Sequence, residues 1–462
     1  MTGQAARRPR RLAAAGWVLS LAALAMSSTG RADAADWLSV CPDRGGLPPT
    51  DEAGHALRYW AQPEAGRWVV AGAARPPAAA ACSSMPLPVS VAEIRWIGVV
   101  SESGRAMTER VDLQIPVGRE FDDVRDVEIV LPAVSDGDPA PTPAVETLAP
   151  TAPTGREPPR RSGWSWAPDR WMQDGSGLLD EAAALGIGVL YISVPVEESG
   201  FDPQRLADFI ADAGGRGIAV WAVEGDPHAV QPGPRERFVR RAAALAAYNA
   251  ARPTAERLAG IQYDIEPYLL PGYAADPAGW QAAYVETIAA LRRAADLPTE
   301  IAIPFWFGRD GGGQGPLLDR LAPHVDSVAV MAYRTDVAEL RRFVEPIFVW
   351  AEGGRRDIRI ALENGTLPDR ANTMFVRRQA GELWLVDFAR DRLAILLRGP
   401  AGNPHGPAYA RQTDWPVPAD RISFGGRLDV LLAVARSLEA DFAGRRGFAG
   451  IALHGVLGQK GR

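Results

Sequence analysis

The sequence predicts a (β/α)8 TIM barrel preceded by a small β-rich accessory domain, and three observations carry that expectation. From residue 162 onward, short β-rich runs alternate with amphipathic helical stretches. Several of the runs are apolar throughout, as in Ile187-Gly188-Val189-Leu190-Tyr191-Ile192. Strands buried on both faces of a helix-covered parallel sheet read this way. Eight such β/α units over about 300 residues suit a barrel whose usual size is about 250 residues before insertions.

The chain has 462 residues and a net charge of −6, with Lys460 as its one lysine. That acidic balance argues against nucleic acid as the partner, because phosphate binding wants a basic face. Five scattered histidines and two cysteines, with no HxH or HExxH spacing, give no basis for a metal site or a resident cofactor.

Residues 1–34 read as a signal peptide: Arg7, Arg8, Arg10 and Arg11, then the apolar run Leu12 to Met26, then Ala32-Asp33-Ala34 as a cleavage pattern. An uncleaved anchor is the alternative. Cleavage leaves 45 basic and 55 acidic residues and no further apolar run of 18, so the expectation is an exported protein, periplasmic or secreted, with no stable membrane span. An oxidising compartment favours a Cys41–Cys82 disulfide over two buried thiols.

Residues 35–132 form the expected accessory domain, with period-2 alternation in Ala92–Trp96, Arg110–Ile115 and Asp126–Leu131. Residues 133–160 are a proline-rich linker, unable to bury enough apolar surface to fold. The barrel occupies residues 161–462. Its strands are expected at Gly163–Ala167, Ile187–Val194, Ile218–Val223, Gly260–Asp264, Glu300–Phe305, Ser327–Ala332, Ile358–Leu362 and Phe448–Leu453. Between them, Phe238, Ala242, Leu245 and Tyr248 share one helix face, as do Trp280, Tyr284, Ile288 and Leu291. Residues 366–425 read as an insertion after the seventh strand. A doubly wound open sheet is the alternative, but the first strand is not followed by its glycine fingerprint.

Function in a barrel of this kind sits at the C-terminal ends of the strands. Those ends present Trp164 and Trp166, then Tyr191, then Trp221 and Glu224, then Asp264, Glu266 and Tyr268, then Trp306, then Tyr333 and Arg334, then Glu363, and last His454. Carboxylates ringed by aromatic residues suit a sugar: rings cover the apolar faces of pyranoses, and carboxyl pairs do acid and base work on the glycosidic oxygen. Asp264 and Glu266 are two apart, so an extended chain turns both toward one face. Two adjacent carboxyls cannot both ionise cheaply, which leaves one able to hold a proton near neutrality.

The segment Ala259-Gly260-Ile261-Gln262-Tyr263-Asp264-Ile265-Glu266 resembles the D-G-x-D-x-D-x-E signature of glycoside hydrolase family 18, the chitinase-like barrels. Val330-Met331-Ala332-Tyr333-Arg334 resembles that family's M-x-Y-D, and Gly447 to His454 its closing strand. The resemblance implies Glu266 as proton donor, Asp264 as the residue that orients a substrate N-acetyl group, and Tyr333 as its holder, on a polysaccharide containing N-acetylhexosamine. The departures are Ala259 and Gln262 in place of the first two aspartates, Arg334 in place of the aspartate after the tyrosine, and His454 where the family places a tryptophan floor. A second reading makes Glu266 the acid/base and Glu363 the nucleophile of a retaining glycosidase, or else pairs Glu363 with Arg355, Arg356 or Arg359. A third is a non-catalytic barrel that binds glycan or cell envelope.

Overall fold

The computed structural model describes residues 36–42, 58–62, 67–72, 82–90, 93–102, 107, 109–116, 128–130, 159–197, 201–270, 273, 276–308, 317–354, 356–389 and 391–458. The expected leader 1–34 and nearly all of the expected linker 133–160 lie outside them.

The N-terminal part holds β1 (Trp37–Pro42), β2 (Arg58–Gln62), β3 (Arg67–Gly72), β4 (Ser83–Pro86), β5 (Ile94–Glu102), β6 (Arg110–Pro116) and β7 (Glu128–Val130). The first four make an antiparallel sheet ordered β2-β3-β1-β4. Cys82, just before β4, is disulfide-bonded; the chain's other cysteine is Cys41 in β1.

The barrel strands are β8 (Arg161–Ser165), β9 (Ile187–Ile192), β10 (Ala219–Glu224), β11 (Gly260–Tyr263), β12 (Thr299–Pro304), β13 (Ser327–Met331) and β14 (Asp357–Glu363), closed by β19 (Phe448–His454). All neighbours pair in parallel, and the ring closes through β19 and β8. The fold class is as the apolar runs predict. The crossover helices are α1 (Pro168–Ala184), α2 (Pro203–Gly215), α3 (Pro232–Ala250), α4 (Pro277–Ala294), α5 (Leu317–Leu321), α6 (Val337–Gly354) and, after the short α7 (Ala419–Ile422), α8 (Leu428–Phe442). Proline opens each of α1 to α4, where its missing N–H costs nothing and its fixed φ suits a first turn. Asp202 and Asp276 cap α2 and α4 by accepting backbone N–H groups of their first turns. Seven crossovers link the eight strands among the described residues.

Period-2 alternation divides each strand between two cores. Leu190, Ile192, Ile261, Tyr263, Ile301, Val328, Ile360 and Leu453 face the helices. Trp164, Val189, Tyr191, Val223, Ala329, Ala361 and Ala452 fill the barrel interior. Below them lies a polar floor. Glu300, 1% exposed, accepts hydrogen bonds from Tyr191, Gln262 and Ser327 and pairs with Arg359 at 3.2 Å.

The 366–425 segment does not stand alone. Its strands β15 (Arg370–Arg378), β16 (Ala380–Phe388), β17 (Asp391–Gly402) and β18 (Ala408–Val417) join the N-terminal strands in one antiparallel sheet ordered β5-β17-β16-β18-β15-β6-β7. This sheet and Leu38, Val40 and Leu87 of the N-terminal part share one apolar core with Phe375, Trp384, Ile395 and Tyr409. Two distant stretches of sequence thus build one accessory β domain, tethered where β14 leaves the barrel.

Candidate active site

Strand β11 ends at Tyr263, so Asp264 and Glu266 leave the barrel from the loop beyond it, and Glu266 opens a single 3-10 turn over Pro267–Leu269. The expected alternation survives the end of the strand. Tyr263 and Ile265 are buried among the helix-facing residues, whereas Gln262 turns inward. Asp264 and Glu266 share the parity of Gln262. The Asp264 N–H donates to the Glu224 carbonyl at 2.8 Å, which ties this loop to β10. The Tyr268 hydroxyl donates to Glu266 Oε2.

Asp264 Oδ1 is shut from solvent with no hydrogen-bond partner. Burial pushes this carboxyl up to about 6, against a smaller opposing pull from His454. Gly225 lets the wall close over it: a Cβ there would lie 2.8 Å from the Asp264 carbonyl oxygen and 3.2 Å from Trp166 Cη2. Tyr333 stands among three carboxylates. Burial raises its hydroxyl well above the ordinary range, and the charges of Asp264, Glu363 and Glu266 raise it further, so it is a neutral donor at every working pH. The charges of Asp264, Glu266 and Glu363 are thus all felt at Tyr333.

Glu363 and His454 are paired residues of the neighbouring strands β14 and β19. His454 Nδ1 lies 2.5 Å from Glu363 Oε2, and the Gly365 N–H donates to Oε1. Burial would raise Glu363, but the His454 hydrogen bond and charge and the backbone N–H groups of Gly365 and Asn364 outweigh it and hold the carboxyl below its usual range. Burial works against the charged form of His454 as well. The Glu363 hydrogen bond and charge, with the charge of Asp264, prevail and raise it. The Glu363 carboxylate is oriented by His454 on one oxygen and by the Gly365 N–H on the other. Arg359 binds Glu300 and the Arg160 and Ala449 carbonyls. Each residue was singled out in the sequence by its strand end; their partnership needed the two ends to be neighbours at equal height.

Trp164 forms the floor. It packs face-on against Tyr191 at 5.2 Å and edge-on against His454 at 5.6 Å, and its indole N–H donates to Gln262 Oε1 at 2.5 Å. Gln262 passes the contact on by donating to Glu300 at 2.7 Å. An aspartate at 262 would set a second negative charge against Glu300. Trp166 and Trp306 are the exposed aromatics, at 37% and 43%, and Trp306 meets Tyr268 edge-on at 5.3 Å.

Four expected substrate contacts are placed elsewhere. Tyr191 is fully buried, with its hydroxyl on Glu300. Trp221 packs into the barrel interior against Tyr191 and over Gly260, where even a Cβ would clash with its ring. Glu224 is buried and clasped by Arg241 through both oxygens, at 2.7 and 2.8 Å. Arg334 turns outward over the rings of Phe305 and Phe343 and donates to the Tyr333 carbonyl. Among the described residues no cluster of three or more histidine, cysteine or acidic side chains has the arrangement of a metal site, and no helix is long and apolar enough to cross a membrane.

No family profile and no curated protein matches the chain. Among solved structures it is similar to an endo-β-N-acetylglucosaminidase from Cordyceps militaris, at 15% identity over 46% of this chain and 69% of that one, TM-score 0.31. A GH113 β-1,4-mannanase is similar at 10% identity over 64% and 87%, TM-score 0.36. The spore cortex-lytic enzyme SleL of Bacillus megaterium is similar at 13% identity over 69% and 75%, TM-score 0.36. These are distant similarities to glycoside hydrolases built on barrels.

Proposed function

We propose that the protein is a glycoside hydrolase acting on a polysaccharide, with Glu266 as general acid and Asp264 as its partner. The carrying observation is Asp264, whose Oδ1 is shut from solvent without a partner and whose carboxyl is lifted to about 6, on the loop that also bears Glu266, at a barrel mouth with Trp164 as its floor and the exposed rings of Trp166 and Trp306. Elevated carboxyls beside a second acid are how such enzymes hold a proton near neutrality. Tyr333 supplies a neutral hydroxyl for a polar substituent of the bound sugar, and Trp306 and Tyr268 supply a ring platform at the rim. The leader read in residues 1–34 would direct export to the periplasm or medium, which sequencing the N-terminus of the mature protein would test.

The functional test is incubation of the protein lacking residues 1–34 with colloidal chitin, peptidoglycan and β-mannan, followed by mass analysis of soluble products. The reading expects oligosaccharides from at least one polymer. Saturable binding with no product at any pH would defeat it and leave a glycan-binding barrel.

A further inference from the structure

The Glu363–His454 pair is built with more care than strand packing requires. The two residues are register partners on adjacent parallel strands. Around them stand two glycines with no room for a side chain. A Cβ on Gly365 would lie 2.8 Å from Glu363 Oε1, and one on Gly455, which has φ +66°, would lie 2.8 Å from the same oxygen and 2.6 Å from the Gly365 nitrogen. The His454 ring is fixed on two sides, by Trp164 edge-on and by Tyr333 at 6.2 Å. An ionised carboxylate only accepts hydrogen bonds, so Nδ1 keeps its proton and Nε2 is the nitrogen free to gain or lose one. The side chain remains 33% exposed.

The closed ring adds the second half. Between β11 and β19 stand β12, β13 and β14 on one side and β10, β9 and β8 on the other. His454 therefore projects from the wall opposite the one that carries Glu266.

We propose that His454 is the second proton carrier of this site, a base held by Glu363 across the barrel mouth from Glu266, and that cleavage proceeds by single displacement with inversion at the anomeric carbon. The proposal rests on Glu266 being the acid. Nε2 takes a proton from water as the water oxygen bonds to the anomeric carbon. The bond from that carbon to the glycosidic oxygen breaks, its electron pair stays on the oxygen, and the oxygen takes the Glu266 proton. Imidazolium and carboxylate then exchange protons with solvent. The titratable groups facing His454 are Glu363 from β14, Asp264 from the loop after β11 and the neutral Tyr333 after β13. The two anions favour the imidazolium, so the base form grows as pH rises.

The test uses whichever of chitin, peptidoglycan or β-mannan the wild type cleaves. Proton NMR of the first product should show the inverted anomer, and retention overturns the proposal. His454→Ala should lose about 10²- to 10⁴-fold in turnover, the usual worth of a general base, and added imidazole should restore part of it. An undiminished rate, or a folded variant that imidazole does not help, overturns it. Glu363→Gln should move the rising limb of the pH–rate profile, and the His454 titration seen by ¹⁵N NMR, to lower pH; unmoved values overturn it. If His454→Ala does not fold, the wild-type anomer and the Glu363→Gln profile decide. Retention together with an inactive Glu266→Gln defeats this inference alone. A wild type that cleaves none of the three polymers defeats the proposed function with it.

Discussion

Asp264→Asn should make the protein more stable near neutrality. In the fold the Asp264 carboxyl titrates at about 6, against 3.8 for an ordinary aspartate. The native state therefore binds more protons than the unfolded chain between those two values, and its stability falls as pH rises through them. At about 1.4 kcal/mol per pH unit the full loss is about 3 kcal/mol. Oδ1 is shut from solvent but the residue as a whole is half-buried, so solvent returns some of that and about 1–3 kcal/mol is the expected range. An isosteric amide carries no charge to desolvate. Urea unfolding of wild type and variant at pH 4 and pH 7.5 measures the difference. The variant should gain at pH 7.5 and gain little at pH 4. A gain of equal size at both, or a loss that grows toward neutrality, would refute the claim that burial of a charge at Asp264 strains this site.

Three further perturbations separate scaffold from site. Arg359→Met leaves Glu300 charged and buried without its ion pair, and should cost about 3–5 kcal/mol in urea unfolding, since one partner of a buried pair is removed. Gly455→Ala forces a side chain onto a left-handed φ, worth about 1–2 kcal/mol by itself, and against Glu363 Oε1, so thermal unfolding should drop and the His454 NMR titration should shift. Trp306→Ala removes an exposed ring, so stability should stay within about 0.5 kcal/mol while affinity for a bound polysaccharide in calorimetry falls about fivefold.

Much of this was readable from residue order because the barrel imposes simple periodicities. Runs such as Ile187–Ile192 are apolar on both faces because one face meets helices and the other the interior, and that double burial is visible as an unbroken run. Asp264 and Glu266 could be assigned to one side because the alternation persists past the end of β11. Side-chain partnership was not readable. Glu224 and Glu363 look alike as acids at strand ends, yet Arg241 reaches one from α3 and His454 meets the other from β19. Tyr191 resembles a site tyrosine until Glu300, more than a hundred residues away, is placed beneath it. The accessory sheet was hidden for the same reason: β5 and β17, as in the pairing of Glu102 with Asp391, lie far apart in the sequence, and only pairing makes them neighbours.

The most direct measurement is the rate of polysaccharide cleavage by Glu266→Gln beside wild type, with unfolding followed on both. The amide cannot supply a proton but keeps the shape that Tyr268 meets. Turnover should fall by at least about 10²-fold with the unfolding midpoint nearly unchanged. A Glu266→Gln protein that folds and cleaves at the wild-type rate would contradict the assignment of this barrel mouth as a glycosidase centre worked by Glu266.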